Sequence, residues 1–314
     1  MGFFVKRESC PACESGEHTT IYLCGFHQPP IRPYLESFYG SQGSSIELDY
    51  LNGATFVLYE CNNCGLIFQG EIPNDFLMKK LYEEWIGPKT GLELQGEKRE
   101  LDYHAGHARE IMMLVAHFNI NPAKLHFLDV GMGWGKWCLM AKAFGCNIYG
   151  IELSRPKIEI GLSQGINMIS WDELVRYSFD YINTEQFFEH VGRPLEILRY
   201  LRKSLKTNGL IKISVPDGAD IKRRLNVSDW TAPKGTKNSL NAVSPLEHIN
   251  CYNRSSIIKM AEIAGLQEVK IPIRLQYIYS TNWRPIREMA KNLLRPFYYN
   301  VLQKGTYLFF SHKQ

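Results

Sequence analysis

The chain has 314 residues, which suffices for one large domain and a small one. Its 45% apolar and 22% charged residues are ordinary for a globular protein, and a net charge of +4 is too weak to imply nucleic acid by itself. No apolar run approaches the roughly 20 residues that a membrane-spanning helix needs.

The amino-terminal residues lack the basic start and the long apolar stretch of a secretory signal peptide. We therefore expect a cytoplasmic protein with reduced thiols. In that compartment, paired CxxC motifs bind metal more often than they form disulfides.

Residues 1–72 contain two such pairs, and a glycine, Gly65, follows the second pair. Each pair places two thiolates on one side of an ion, so two pairs complete a tetrahedral zinc shell. With four protein ligands the zinc would be structural, because no coordination position is left open for a substrate. The predicted metal ligands are Cys10, Cys13, Cys61 and Cys64.

Residues 73–122 have helix-like apolar spacing and are predicted to be a helical linker or cofactor lid. From 123 to 314 strands and helices alternate, which predicts a parallel sheet with helices on both faces. An insertion is expected at 281–304, before a last strand. The predicted strands are Leu125–Val130, Asn147–Glu152, Asn167–Ile169, Tyr181–Thr184, Leu210–Val215 and Val269–Tyr279.

A glycine-rich turn, Gly131–Gly135, follows the first of these strands and opens a helix. Glycines let the backbone approach a ligand closely, and a helix start offers free N–H groups. Glu152 ends the next strand, where a carboxylate can accept both hydroxyls of a ribose. That acid would serve NAD equally well, so it indicates a ribose without choosing the cofactor.

Phe127–Ser154 resembles the first two motifs of class I S-adenosylmethionine-dependent methyltransferases. Phe179–Val191, Pro194–Pro216 and Glu247–Leu266 resemble later segments of that family. Leading CxxC pairs occur in a subgroup with many enzymes of sugar, polysaccharide or secondary-metabolite modification. The resemblance implies an α/β fold, with a Rossmann-like, seven-stranded, doubly wound sheet whose last strand is antiparallel, and a small zinc-ribbon-like module at the amino terminus.

The resemblance also implies methyl transfer from S-adenosylmethionine to a small-molecule acceptor by in-line displacement. A hydroxyl acceptor needs a base, for which His190 and then His248 are the candidates. His190 follows the fourth strand, at the edge where open parallel sheets bind ligands. The predicted cofactor-binding residues are Asp129, Gly131, Gly133, Trp134, Gly135, Glu152, Leu153, Trp171, Glu185 and Gln186.

A hydroxyl of a sugar, nucleotide-sugar or glycan precursor is the favoured acceptor, and DNA is not expected. An RNA methyltransferase is one alternative, although residues 1–70 contain few basic residues. A cofactor-binding scaffold without turnover is another. The basic, aromatic segment 283–299 is read as an inserted helix hairpin, as a surface for an acidic or lipid-linked substrate, or as a peripheral membrane contact.

Overall fold

The computed structural model describes residues 2–41, 43–86, 100–277 and 286–312, without the side chains of 100–103 and 286–288. The helices are α1 (Ile31–Ser41), α2 (Asp75–Lys80), α3 (Glu100–Phe118), α4 (Lys136–Ala143), α5 (Arg155–Ser163), α6 (Pro194–Lys203), α7 (Ile221–Val227), α8 (Arg254–Ile263), α9 (Ile273–Tyr277) and α10 (Ile286–Pro296). Short 3-10 and π-helical turns lie between them.

The strands form three sheets. They are β1 (Phe4–Lys6), β2 (His18–Gly25), β3 (Thr55–Cys61), β4 (Ile67–Gln69), β5 (Glu71–Pro73), β6 (His126–Val130), β7 (Asn147–Ile151), β8 (Asn167–Met168), β9 (Phe179–Glu185), β10 (Leu205–Ser214), β11 (Asn250–Cys251), β12 (Leu266–Val269) and β13 (Tyr307–His312).

The chain divides into two compact units. The first consists of Met1–Lys98, Phe188–Leu195 and Val215–Met260, and the second of Arg99–Phe187, Glu196–Ser214 and Ala261–Gln314. The domain boundaries predicted at residues 72 and 122 therefore differ from the boundaries of these two units. Two segments from the second half of the chain, 188–195 and 215–260, pack with the amino-terminal residues.

The first unit contains an antiparallel sheet in the order β11-β4-β3-β2 and the antiparallel pair β1–β5. Arg7 connects its three segments, since its guanidinium donates to the carbonyl oxygens of Ile249 (3.2 Å) and Gly192 (3.1 Å) and to Asn250 Oδ1 (2.8 Å). Burial lowers the pKa of Arg7 to about 10. The aromatic core of this unit includes Phe26, Phe56, Tyr39, Trp85 and Trp230.

The second unit contains a seven-stranded sheet in the order β12-β13-β10-β9-β6-β7-β8. Its strands, numbered along the chain within the sheet, run 3-2-1-4-5-7-6 from the β8 edge. The pairs from β8 to β10 are parallel, and β13 is antiparallel to both of its neighbours. This confirms the predicted α/β fold with an antiparallel last strand. Phe127, Leu128 and Val130 are fully buried, as expected when helices cover both faces of a parallel sheet.

One predicted strand was wrong in its extent. Val269–Tyr279 was expected to be extended, but β12 spans Leu266–Val269 and is followed by α9. Leu266–Val269 pairs residue by residue with β13, while Leu275 N–H bonds back to Pro272 as a helical turn requires. Residues 278–279 lie outside the described part of the chain. Within the described residues, no helix is long and apolar enough to span a bilayer.

Candidate functional site

The glycine turn of the second unit has the backbone that its sequence predicts. Gly131, Gly133 and Gly135 have φ angles of 70°, 57° and 72°, in the left-handed region that favours glycine. The turn connects the carboxyl end of β6 to the start of α4, where ligands of open α/β sheets bind.

The three glycines differ in the space around them. A Cβ on Gly131 would lie 3.1 Å from the Phe187 ring, and one on Gly135 would lie 2.6 Å from Ile166 Cδ1. A Cβ on Gly133 would meet no atom within 4 Å. Gly131 and Gly135 are therefore packed against the protein, while Gly133 borders open space that a ligand could fill.

Glu152 follows β7 and joins the glycine turn through hydrogen bonds. The Gly133 N–H donates to Glu152 Oε2 at 3.0 Å. The N–H groups of Leu153 and Ser154 donate to Oε1 at 2.9 and 3.0 Å. The carboxylate is thereby fixed beside the open side of the turn.

Aromatic side chains lie near the turn. Trp171 stacks on Phe187, with ring centroids 6.3 Å apart and an angle of 29° between the planes, and Phe187 in turn contacts Gly131. Trp134 lies within the turn, with Lys157 Nζ 5.9 Å from its ring centroid. Trp171 and Phe187 thus offer a flat apolar surface on the Gly131 side; the sequence did not single out Phe187.

Asp129 lies beneath the turn and is 4% exposed. It accepts a hydrogen bond from Asn183 Nδ2 at 2.8 Å and lies 3.6 Å from Cys138 Sγ. Burial raises the pKa of Asp129 to about 7, although the Asn183 bond opposes that change. These contacts join β6 to β9.

Leu153, Glu185 and Gln186 are exposed at the carboxyl edge of the same sheet. Leu153 is 82% exposed, directly after Glu152. Gln186 has a φ of 51°, and its N–H donates to the Ser214 carbonyl at 2.7 Å. The structure therefore brings these three predicted residues to the same edge as the glycine turn.

A buried ion cluster includes Glu185, and the sequence analysis did not predict it. Lys212 on β10 is fully buried, and its Nζ lies 2.9 Å from both Glu110 oxygens and 3.1 Å from Glu185 Oε2. Burial alone would lower the pKa of Lys212, but the two carboxylates raise it. The signal in the sequence was a lysine between two isoleucines, Ile211 and Ile213, of a predicted strand, since buried lysines are almost always paired.

Glu110 is the centre of that cluster. Besides Lys212, it accepts hydrogen bonds from the Tyr307 hydroxyl (2.7 Å), the Tyr181 hydroxyl (3.0 Å) and Trp137 Nε1 (3.1 Å). Burial would raise the pKa of Glu110, but Lys212 and these donors leave it lowered. The carboxylate is thus a charged, fully bonded group that joins α3 to the sheet.

The four predicted metal ligands of the first unit come together. The Sγ atoms of Cys13 and Cys61 are 3.5 Å apart, those of Cys10 and Cys64 are 3.6 Å apart, and all four lie within 4.8 Å of one another. A tetrahedral zinc with bonds of about 2.3 Å places its sulfurs roughly 3.8 Å apart. All four cysteines are buried, and their separations fit a structural zinc site.

His190 and His248 also meet within the first unit, with ring centroids 4.9 Å apart. His190 Nδ1 lies 2.9 Å from the Glu247 carbonyl and 3.0 Å from the Tyr82 hydroxyl, and His248 Nδ1 contacts the Asn241 carbonyl. A carbonyl only accepts, so each Nδ1 carries the proton and each Nε2 keeps its lone pair.

Burial lowers the pKa of His190 to about 4 and that of His248 to about 3, so both are neutral near pH 7. Glu189 Oε1 lies 3.8 Å from His190 Nε2. Ligand atoms of Glu189, His190 and His248 all lie within 4.8 Å of one another. The cluster can accept a proton through Nε2, and its donor set would also suit a divalent cation.

The chain was compared with protein families and known structures. The methyltransferase domain family matches residues 103–271, more than half of the chain. A ubiquinone biosynthesis O-methyltransferase of Rickettsia akari is 29% identical over 117 residues, which cover 33% of this chain and 45% of that protein. This chain thus spans less than half the length of that curated relative.

The solved structure of the plantazolicin methyltransferase BpumL, in complex with a pentazolic desmethylPZN analog and SAH, has a TM-score of 0.50 to this chain. The identity is 13%, and the alignment covers 76% of this chain and 95% of BpumL. That likeness concerns the fold alone. With the family match over more than half of its length, the chain belongs to the class I S-adenosylmethionine-dependent methyltransferases.

Proposed function

We propose that the protein transfers a methyl group from S-adenosylmethionine to a hydroxyl of a small molecule, namely a sugar, nucleotide-sugar or glycan precursor. The proposal of S-adenosylmethionine as the cofactor rests on the hydrogen bond between the Gly133 N–H and the Glu152 carboxylate. An open glycine backbone and a fixed carboxylate meet there at the carboxyl edge of the sheet.

In this proposal Glu152 binds the ribose hydroxyls, and the turn Gly131–Gly135 passes beside the cofactor's methionine part. Trp171 packs near the adenine, Trp134 near the methionine, and Glu185 and Gln186 border its reactive end. Asp129 and Leu153 flank the same pocket. S-adenosylmethionine, when bound, supplies an electrophilic methyl group, and the residues named here contribute binding and alignment.

An oxygen acceptor is supported by the relative from Rickettsia akari, which is named as an O-methyltransferase. The sugar class rests on the leading CxxC pairs, which resemble those of the sugar-modifying subgroup. For the base we propose His190, with His248 as the second candidate, because each keeps a lone pair on Nε2. Its low pKa makes His190 a weak base, so acceptor alignment must contribute much of the rate.

The cysteine cluster is proposed to hold one structural zinc. We also propose a reducing, cytoplasmic location, which would keep the four ligands available for metal. The zinc would stabilise the fold of the first unit and take no part in methyl transfer, since four thiolates fill its shell.

The test has two stages. Calorimetry on the purified protein should detect binding of S-adenosylhomocysteine and no comparable binding of NADH. Radiolabelled S-adenosylmethionine is then offered with nucleotide sugars, simple glycosides, catechols and transfer RNA. Transfer to a sugar hydroxyl supports the whole proposal. Transfer to catechol or RNA alone rejects the sugar class, and tight NADH binding without S-adenosylhomocysteine binding rejects the cofactor.

A further inference from the structure

The segment 293–302 exposes an unusual run of large apolar side chains. It begins in α10 and continues through the π-helical turn Phe297–Val301. Sixteen large apolar side chains are exposed in the part of the chain that the structure describes, and six of them lie in these ten residues. They are Leu293 (50% exposed), Leu294 (62%), Phe297 (48%), Tyr298 (40%), Val301 (51%) and Leu302 (49%).

These residues share one face of the helix, because they occur as adjacent pairs repeated every four positions. An amphipathic helix of a globular protein normally turns such a face towards the core. Here Pro296 is buried instead, and the apolar face is left exposed. We name this surface, made of the six side chains, the 293–302 face.

The charges around the face are mainly positive. Residues 286–304 contain Arg287, Lys291, Arg295 and Lys304 and one acidic residue, Glu288. Lys291, Arg295 and Lys304 are exposed, and the Arg295 guanidinium lies 5.9 Å from the Tyr299 ring centroid. Long basic side chains beside an apolar helix face can extend to lipid phosphates while their stems cover apolar surface.

We propose that the 293–302 face binds the surface of an anionic phospholipid bilayer, with its apolar side chains at the boundary between headgroups and acyl chains. Charge decides between this partner and a second copy of the chain. Two copies meeting face to face would bring together two segments 286–304 that each carry four basic residues and one acidic residue. An anionic bilayer attracts the same basic residues through its own negative charge.

The experiment uses the full chain and sedimentation with large vesicles of phosphatidylcholine, with or without 30% phosphatidylglycerol. We expect sedimentation with the anionic vesicles that weakens as salt is raised, and little with the neutral ones. The double variant Leu294→Glu and Phe297→Glu should lower the partition coefficient at least tenfold. Arg295→Gln with Lys304→Gln should reduce the preference for anionic vesicles.

Leu162→Glu is the matched control, because Leu162 is 57% exposed in α5 of the same unit. It should bind vesicles as the unchanged protein does, and circular dichroism should show that all variants fold. Failure of the unchanged protein to sediment with anionic vesicles at low salt overturns the proposal. A loss of vesicle binding in Leu162→Glu equal to that in the double variant also overturns it. Self-association that the double variant abolishes, without vesicle binding, would instead identify a second copy as the partner.

Discussion

The backbone N–H of Gly133 donates a hydrogen bond to the Glu152 carboxylate at 3.0 Å, which joins the turn after β6 to the end of β7. The two residues are 19 positions apart and meet because β6 and β7 are adjacent and parallel. The open space at Gly133 therefore has a fixed acid at its edge.

Glu152→Ala should weaken S-adenosylhomocysteine binding by about 1.5–3 kcal/mol, the range for a hydrogen bond to a charged group, or roughly 10- to 150-fold. Calorimetry measures the effect. Glu159→Ala is the control, since Glu159 is an exposed acid that pairs with Arg155. Equal affinity in the two variants would remove Glu152 from the cofactor site.

Gly133→Ala and Gly135→Ala should fail in different ways. Both force alanine into a left-handed conformation, which costs about 1–2 kcal/mol. The added methyl at Gly135 also meets Ile166 at 2.6 Å, so that variant should have the lower melting temperature. The methyl at Gly133 enters open space, so that variant should keep more stability and lose cofactor binding. Normal binding by the Gly133 variant would contradict the proposed pocket.

Cys61→Ser should release the metal and unfold the first unit, because a structural zinc contributes on the order of 10 kcal/mol to such a module. Elemental analysis should find one zinc per unchanged chain, and a chelator should lower its melting temperature. Cys146→Ser, a buried cysteine of the second unit, should keep the zinc. A metal-free protein of full stability would count against the zinc site.

Lys212→Met should destabilise the protein by about 3–5 kcal/mol, because it leaves Glu110 charged and buried without its partner. Adding Glu110→Gln should recover part of that loss. Denaturant unfolding gives both values. Lys222→Met removes the more exposed pair with Glu60 and should cost only about 0–1 kcal/mol. Equal losses of stability in the two lysine variants would show that burial of an ion pair does not determine its contribution to stability.

The histidine cluster should lose stability in acid. Burial lowers the folded-state pKa of His248 to about 3, below the ordinary value near 6.5. The unfolded chain thus binds more protons between those values, so the stability from His248 is present above pH 6.5 and falls as pH drops. The neighbouring Glu247 has the opposite effect, since burial raises its pKa to about 7.

The contribution of His248 is therefore measured as the difference in unfolding free energy between two proteins. The stability gap between the unchanged protein and His248→Asn should narrow from pH 7 to pH 4.5. A gap that stays constant over this range would show that His248 is not held neutral by the fold.

Much of the second unit could be predicted from sequence, because its signals are local. The left-handed glycines of the turn, the apolar strands and the acid one strand later all follow from spacing along the chain. The limits of β12 could not be predicted, since apolar spacing after Val269 suits a strand or the helix α9, and pairing with β13 decides between them.

Sequence alone determined each of the two CxxC pairs and the left-handed glycine turn, because short-range geometry fixes them. Only the tertiary structure decided which distant groups meet. Glu110 and Lys212 are 102 residues apart, and His190 and His248 come together from segments that the chain keeps separate. Such contacts depend on burial and on strand order, which no local pattern encodes; a buried charge must then find whichever partner the fold provides.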